Sequence, residues 1–172
     1  MNDLYMEDIL YNVLDIIKGT TVDGPGFRTS IYFAGCSHKC SGCHNPHSWE
    51  PNAGSKMSLE DLIQIVEEED FDVTLSGGDP LFHPDTIEIL INRLKKNRRN
   101  VWIYTGYTWE EIVSSPELFS AVKEADVVVD GKFIEDLRNI DLPFRGSENQ
   151  RLINVYESIK TNSVVLINPQ SS

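Results

Sequence analysis

Runs of β-branched and aromatic residues alternate with amphipathic stretches along this chain, and the apolar runs end in polar motifs carrying glycine or cysteine. Val13 to Thr21 reads as an extended segment closed by the turn signal Asp23-Gly24-Pro25-Gly26. Arg28 to Phe33, Asp72 to Ser76, Val101 to Tyr104 and Val127 to Val129 are rich in strand-forming residues, with weaker strands expected at Leu152 to Val155 and Val164 to Ile167. Between them, Ser58 with Asp61 predicts a capped helix over Leu59 to Glu69 with Leu62, Ile63 and Val66 on one face. Asp85 is expected to cap a second helix through Ile87, Leu90, Ile91 and Leu94, and Trp109 to Val113 and Pro116 to Lys123 read as helical. Such alternation predicts an α/β protein built of βαβ units around a parallel sheet. With no internal repeat and no low-complexity linker, residues 1–172 are expected to form a single domain, frayed over the opening few residues and from Pro169 to Ser172.

In parallel α/β architectures the chemistry lies at the carboxyl ends of the strands. Four motifs fall there. A cysteine loop follows the first central strand, Ser76-Gly77-Gly78-Asp79-Pro80 ends the next, and Thr105-Gly106-Tyr107 and Asp130-Gly131-Lys132 follow the two after it.

The cysteine loop holds all three cysteines of the chain, Cys36, Cys40 and Cys43, spaced CxxxCxxC. Three thiolates on one short loop can hold three corners of a 4Fe–4S cluster, leaving the fourth iron open for a non-cysteine ligand. A structural zinc site completed by His38, His44 or His47 is the main alternative. A disulfide with a spare thiol fits the odd count and short spacings poorly. At Gly77 and Gly78 the backbone could come close to a ligand, with exposed carbonyls suited to an ammonium group and Asp79 adding negative potential. A simple strand-to-helix turn would explain the same residues. The ring of His44, directly after Cys43, could lie against a flat ligand, whereas His83 reads as a packing residue and His47 has no assigned role.

The formal charge is −12, from 27 acidic and 15 basic residues, so the surface repels phosphate backbones and no nucleic-acid partner is expected. The basic run from Arg93 to Arg99 reads as the solvated end of a helix, where cations complement the dipole. No apolar run approaches a membrane span, and the first twenty residues lack the basic start and apolar core of a signal peptide. Few, clustered thiols suit a reducing cytoplasm.

Taken together, the CxxxCxxC loop and Gly-Gly-Asp-Pro resemble the radical S-adenosylmethionine superfamily. A closer resemblance covers nearly the full chain. Thr21-Val22-Asp23-Gly24-Pro25-Gly26-Phe27-Arg28, Cys43-His44-Asn45-Pro46 with Trp49, Thr74 to Leu81, Tyr104-Thr105-Gly106-Tyr107 and Arg145-Gly146-Ser147-Glu148-Asn149-Gln150-Arg151 are similar to the activating proteins of anaerobic ribonucleoside-triphosphate reductase. The resemblance implies an oxidoreductase that activates a glycyl-radical enzyme. Cys36, Cys40 and Cys43 would bind a 4Fe–4S cluster, and S-adenosylmethionine would chelate the open iron. Gly42, Cys43, His44, Gly77, Gly78 and Asp79 would border the cofactor. Asp130 resembles the first residue of an Asp-x-Lys that contacts the cofactor in longer activases, and His44 stands where the superfamily often carries Phe or Tyr. Reductive cleavage would yield methionine and a 5′-deoxyadenosyl radical, which would remove hydrogen from a backbone glycine of the reductase large subunit. A low-potential donor such as flavodoxin would supply the electron.

Length points the same way. A closed eight-unit barrel needs about 250 residues, whereas this chain supports five or six units, so the expected fold is an incomplete (βα)5-6 barrel of radical S-adenosylmethionine type. An open barrel suits a macromolecular substrate that inserts its own loop. The alternatives are a small enzyme acting on a heterocycle, like a deazaguanine synthase, or a non-catalytic iron–sulfur or zinc module. The polar segment from Arg145 to Arg151 is expected at the barrel mouth, near the cofactor or the inserted loop. A side chain added at Gly78 is expected to fill the space needed by the methionine amino group.

Overall fold

A computed structural model describes residues 9–169. Of the ends expected to fray, the opening few residues and all but Pro169 of Pro169 to Ser172 lie outside the described residues. Among the described residues seven strands form one sheet in the order β3-β1-β2-β4-β5-β6-β7. They are β1 Leu10–Thr20, β2 Arg28–Phe33, β3 Ser55–Ser58, β4 Asp72–Gly77, β5 Val101–Tyr104, β6 Val127–Asp130 and β7 Arg151–Asn154. The helices are α1 Leu59–Glu69, α2 Pro84–Lys96, α3 Trp109–Ser114, α4 Pro116–Val122 and α5 Val155–Thr161.

Only the centre of the sheet is the expected parallel array. β2, β4, β5 and β6 pair parallel, while β1 and β7 flank them antiparallel. Edge strand β3 pairs antiparallel with β1 and so runs with the central four. The pairing runs from β3 to β7 without closing, so the sheet is open and mixed, with three helical crossovers between its parallel strands where five or six βα units were expected. Connection length explains the difference. Parallel neighbours need a crossover of a dozen or more residues, and the short turn between Thr20 and Arg28 permits only an antiparallel return. After β6 the chain runs without an α-helix from Gly131 to Gln150 and re-enters antiparallel as β7.

The capping box of Ser58 and Asp61 forms as expected. Asp85 does not cap α2; that helix begins after His83 with Pro84 in its first turn, and Asp85 lies one residue inside, favourable to the helix dipole. Val164 to Ile167 makes only a bridge to β7 through Leu166. The short β3 and α5 carried too little periodicity to be expected. Among the described residues no helix is long and apolar enough to cross a membrane.

Strand alternation sorts the side chains onto two faces. Ile31, Val73, Leu75, Val101, Ile103, Val128 and Ile153 join Leu62, Val66, Leu90, Ile91 and Ile112 in the main core. Trp102, Val127, Val129 and Leu152 form a smaller cluster on the opposite face, with Tyr104, Phe144 and Ile167 against it. Arg28 is buried and only 1% exposed. Its Nε donates to Thr74 Oγ1 at 2.8 Å, Nη2 donates to the carbonyls of Val73 at 2.6 Å and Asn100 at 3.1 Å, and the guanidinium lies 5.4 Å from the Trp102 ring centroid. Gly24 makes room for this side chain: a Cβ there would fall 2.7 Å from Arg28 Cδ. Thr74 Oγ1 also donates to the Asp23 carbonyl at 2.8 Å, so the Asp-Gly-Pro-Gly turn is pinned back across the sheet.

Because a lysine cannot reproduce the guanidinium fork, Arg28→Lys should recover less than half of the stability lost in Arg28→Met. Arg28→Met should lower the unfolding free energy by about 3 kcal/mol through acceptors left unpaired in the interior. Urea unfolding of the three proteins checks both values; equal stability of the parent and Arg28→Met would show that the buried fork contributes nothing.

Candidate active site

The ends of β2, β4, β5 and β6 meet at an open cavity of about 750 Å³. Its wall includes Cys36, Cys40, Cys43 and His44 from the cysteine loop, Gly77 and Gly78 from the end of β4, Thr105 and Gly106 after β5, and Gly131 and Lys132 after β6. Tyr32, Ser76 and Tyr104 reach it from the face opposite the helices, and the segment after β6 closes one side with Phe133, Leu142 and Phe144. The size lies within the range of small-molecule sites.

Backbone geometry shapes the cysteine loop. Gly35, Lys39 and Gly42 all have positive φ, at 98°, 48° and 71°, turning the chain back on itself between the cysteines. Gly35 N–H donates to the Ser48 carbonyl at 2.8 Å, and Cys43 N–H to the Cys40 carbonyl at 3.2 Å. All three thiols are free; Cys36 is buried and Cys40 and Cys43 are half-buried. Burial pushes the Cys36 thiol up from its ordinary value, and the backbone N–H groups of His38 and Lys39 pull it partly back. Among the described residues no group of three or more His, Cys, Asp or Glu converges as a single metal ion requires. Three free thiols in one cavity wall suit a cubane, whose thiolates go to separate irons.

Sequence comparison adds to this geometry. Residues 22–153 match a family described as a 4Fe-4S single cluster domain. The anaerobic ribonucleoside-triphosphate reductase-activating protein of Escherichia coli K12 is 34% identical over 140 residues, covering 75% of this chain and 89% of that protein. Its namesake in Haemophilus influenzae is 33% identical over 152 residues, covering 81% and 95%, and that of Enterobacteria phage T4 is 34% identical over 139 residues, covering 76% and 86%. The chain belongs to the family of anaerobic ribonucleoside-triphosphate reductase-activating proteins.

Not every residue singled out by resemblance to that family lies on the cavity. Gly42 is outside the wall, facing Glu135: a Cβ there would lie 2.7 Å from the Glu135 carboxyl carbon. Asp79 is also outside it, 2% exposed, with its oxygens turned inward to protein donors. Asp130 alternates with Val129 and so lies on the helix side of the sheet, where it accepts from Trp109 N–H at 2.8 Å and pairs with Arg151 at 2.5 Å. Arg151 sits opposite Asp130 in the register and also binds Glu110 at 2.7 Å, so it ties β7 to β6 and α3 and does not face the mouth. Its two carboxylate partners raise the Arg151 pKa further, and Arg151 in turn lowers that of Glu110. The remainder of that segment does reach the cavity, through Arg145, Gly146 and Gln150, while Asn149 Nδ2 donates to the Lys132 carbonyl at 2.8 Å. His47 and His83 are exposed and outside the wall; the His83 ring packs edge-on to Phe82. The His44 ring is 5.3 Å from that of Phe133.

Asp23, Tyr32 and Tyr104 are among the wall residues that received no role from sequence. Asp23 is the one carboxylate lining the cavity among the described residues, and it accepts a hydrogen bond from the Tyr32 hydroxyl. Tyr104 donates to the Phe144 carbonyl at 2.8 Å and so holds the segment after β6. The two-residue strand period was the signal that could have placed Tyr32 and Tyr104 at the cavity.

The fold itself requires glycine at position 78, whatever it does for a ligand. A Cβ there would meet the carbonyl oxygens of Gly35 at 2.4 Å and Ser48 at 2.7 Å, so the glycine allows β4 to approach the root of the cysteine loop. A Cβ at Gly77 would likewise meet Phe33 N at 2.2 Å. Gly78→Ala should therefore lower stability by about 2 kcal/mol through overpacking and reduce iron incorporation at the same time. Denaturant unfolding and iron analysis check this; a stable, fully loaded variant with weakened cofactor binding would restore the original explanation.

Proposed function

We propose that this chain activates an anaerobic ribonucleotide reductase by reductive cleavage of S-adenosylmethionine at a 4Fe–4S cluster held by Cys36, Cys40 and Cys43. The observation that carries the reading is the meeting, in one open cavity, of three free thiols and the Gly77-Gly78 strand end, in a chain whose relatives are named as activators of that reductase. When bound, the reduced cluster would supply the electron that cleaves the cofactor to methionine and a 5′-deoxyadenosyl radical, which would take hydrogen from a backbone glycine of the reductase.

The protein's part is binding, orientation and exclusion of water. Cys36, buried at the root of the loop, and the half-buried Cys40 and Cys43 would provide three ligands and leave one iron for the cofactor. Gly77 and Gly78 let main chain rather than side chain form the wall beside them. His44 with Phe133 offers an aromatic corner to the adenine. Asp23, Lys132 and Arg145 place one negative and two positive groups in a wall that also carries Tyr32, Trp49, Tyr104, Phe133 and Phe144, a distribution suited to a zwitterionic ligand. Val22 and Ile140 are 69% and 84% exposed yet line the same cavity, so its mouth has an apolar rim that suits an inserted glycine-bearing loop. A low-potential donor such as flavodoxin would reduce the cluster.

The test is anaerobic incubation of reconstituted protein with reductant, S-adenosylmethionine and the reductase, followed by electron paramagnetic resonance. The expected result is a glycyl-radical signal on the reductase, abolished together with the cluster in Cys36→Ala, Cys40→Ala and Cys43→Ala. A cysteine variant with a full iron complement and normal radical yield would remove the assignment.

A further inference from the structure

Asp79 is the most heavily used carboxylate near the cavity, and none of its partners is a ligand. Its Oδ1 accepts from Leu81 N–H at 2.9 Å. Its Oδ2 accepts from Gly106 N–H at 2.9 Å, from the Thr105 hydroxyl at 3.0 Å and from His38 Nε2 at 2.7 Å. The His38 and Asp79 side chains are 7% and 2% exposed. His38 belongs to the cysteine loop, Asp79 to the end of β4, and Thr105 and Gly106 to the end of β5. One carboxylate thus joins the three loops that form the cavity wall.

Thr105-Gly106-Tyr107 completes a socket for the histidine. The Tyr107 ring packs edge-on against His38 at a centroid distance of 4.6 Å. A Cβ on Gly106 would stand 2.4 Å from His38 Cδ2, so that position has to be glycine for the imidazole to seat. Between Cys36 and Cys43 the other side-chain hydrogen bond among the described residues, from Ser41 Oγ to Glu135, is exposed and long at 3.4 Å. The outer part of the loop is held to the sheet chiefly through His38.

We propose that Asp79 is a positioning residue: acting through His38, it locks the cysteine loop to the ends of β4 and β5, with Thr105-Gly106-Tyr107 as the socket. The carboxylate presents no free oxygen to a ligand, and its function is to set where Cys36, Cys40 and Cys43 stand relative to Gly77 and Gly78. A buried carboxylate with four donors is costly to disturb, because each lost partner leaves charge uncompensated. The lock therefore exists in the protein without cluster or cofactor.

Amide hydrogen exchange on the reduced apoprotein tests this without relying on the proposed function. His38→Ala should raise exchange over residues 36–43 and 105–107 about tenfold, the worth of one charge-assisted hydrogen bond, with no rise in the interiors of β4 and β5. His38→Gln, which retains a donor, should stay near the parent. Gly106→Ala should mimic His38→Ala, and the double variant should be no worse than His38→Ala alone, since the clash is then gone. Unchanged exchange in His38→Ala, full additivity in the double variant, or loosening that spreads through the sheet would each overturn the proposal.

A second readout rests on the proposed function. In the reconstituted, reduced protein, His38→Ala should keep the cluster but need about tenfold more S-adenosylmethionine to perturb its paramagnetic resonance signal; a parental response would overturn the proposal. If the parent itself shows no response, the functional reading fails, and the exchange data still decide whether the lock exists.

Discussion

A strand turns alternate side chains to opposite faces, and that period decides which polar groups of this protein can meet. Tyr32, Ser76 and Tyr104 lie on the face away from the helices and reach the cavity at the strand ends. One residue out of phase, Asp130 points to the helix side and is taken up by Trp109 N–H and Arg151. The same alternation sends Ile31, Leu75 and Ile103 into the main core and leaves Arg28, Thr74 and Trp102 beneath the cavity face. The cavity is where a well-packed sheet runs out of strand and the chain becomes free to turn.

Beyond the strands a second constraint applies, that buried charge has to be partnered. Arg28 and Asp79 satisfy it in complementary ways. Arg28 spends its donors on backbone and hydroxyl acceptors under the Asp-Gly-Pro-Gly turn, and so anchors the segment that carries Asp23. Asp79 collects donors from three loops and so gathers the segments that carry the thiols and the glycines. Glycine permits both arrangements by staying out of the way: Gly24 beside Arg28, Gly78 beside Gly35 and Gly106 beside His38.

Much of this was legible in the amino-acid sequence. The central strands, the first four helices and the collection of four motifs at one sheet edge follow from local pattern, because apolar periodicity and glycine-bearing strand ends are local signals. The antiparallel flanks were not read, although the shortness of the turn between Thr20 and Arg28 contained the reason. Residue roles were harder. Asp79 and Arg151 look in sequence like groups waiting for a ligand, and only their distant partners, His38 and Thr105 for one and Asp130 and Glu110 for the other, show that they are already engaged. Gly78 is similar, because the carbonyls that exclude a Cβ belong to Gly35 and Ser48, in the loop after the neighbouring strand β2 and far off in sequence.

In the proposed function three cysteines hold a cluster whose remaining iron serves the cofactor. Mössbauer spectroscopy on protein reconstituted with iron-57 tests it most directly, by comparing spectra before and after addition of S-adenosylmethionine. One iron of the cluster is expected to separate from the other three when the cofactor is added, as its coordination changes from solvent or buffer to chelation. Four irons that remain indistinguishable and unaffected by saturating cofactor would contradict it.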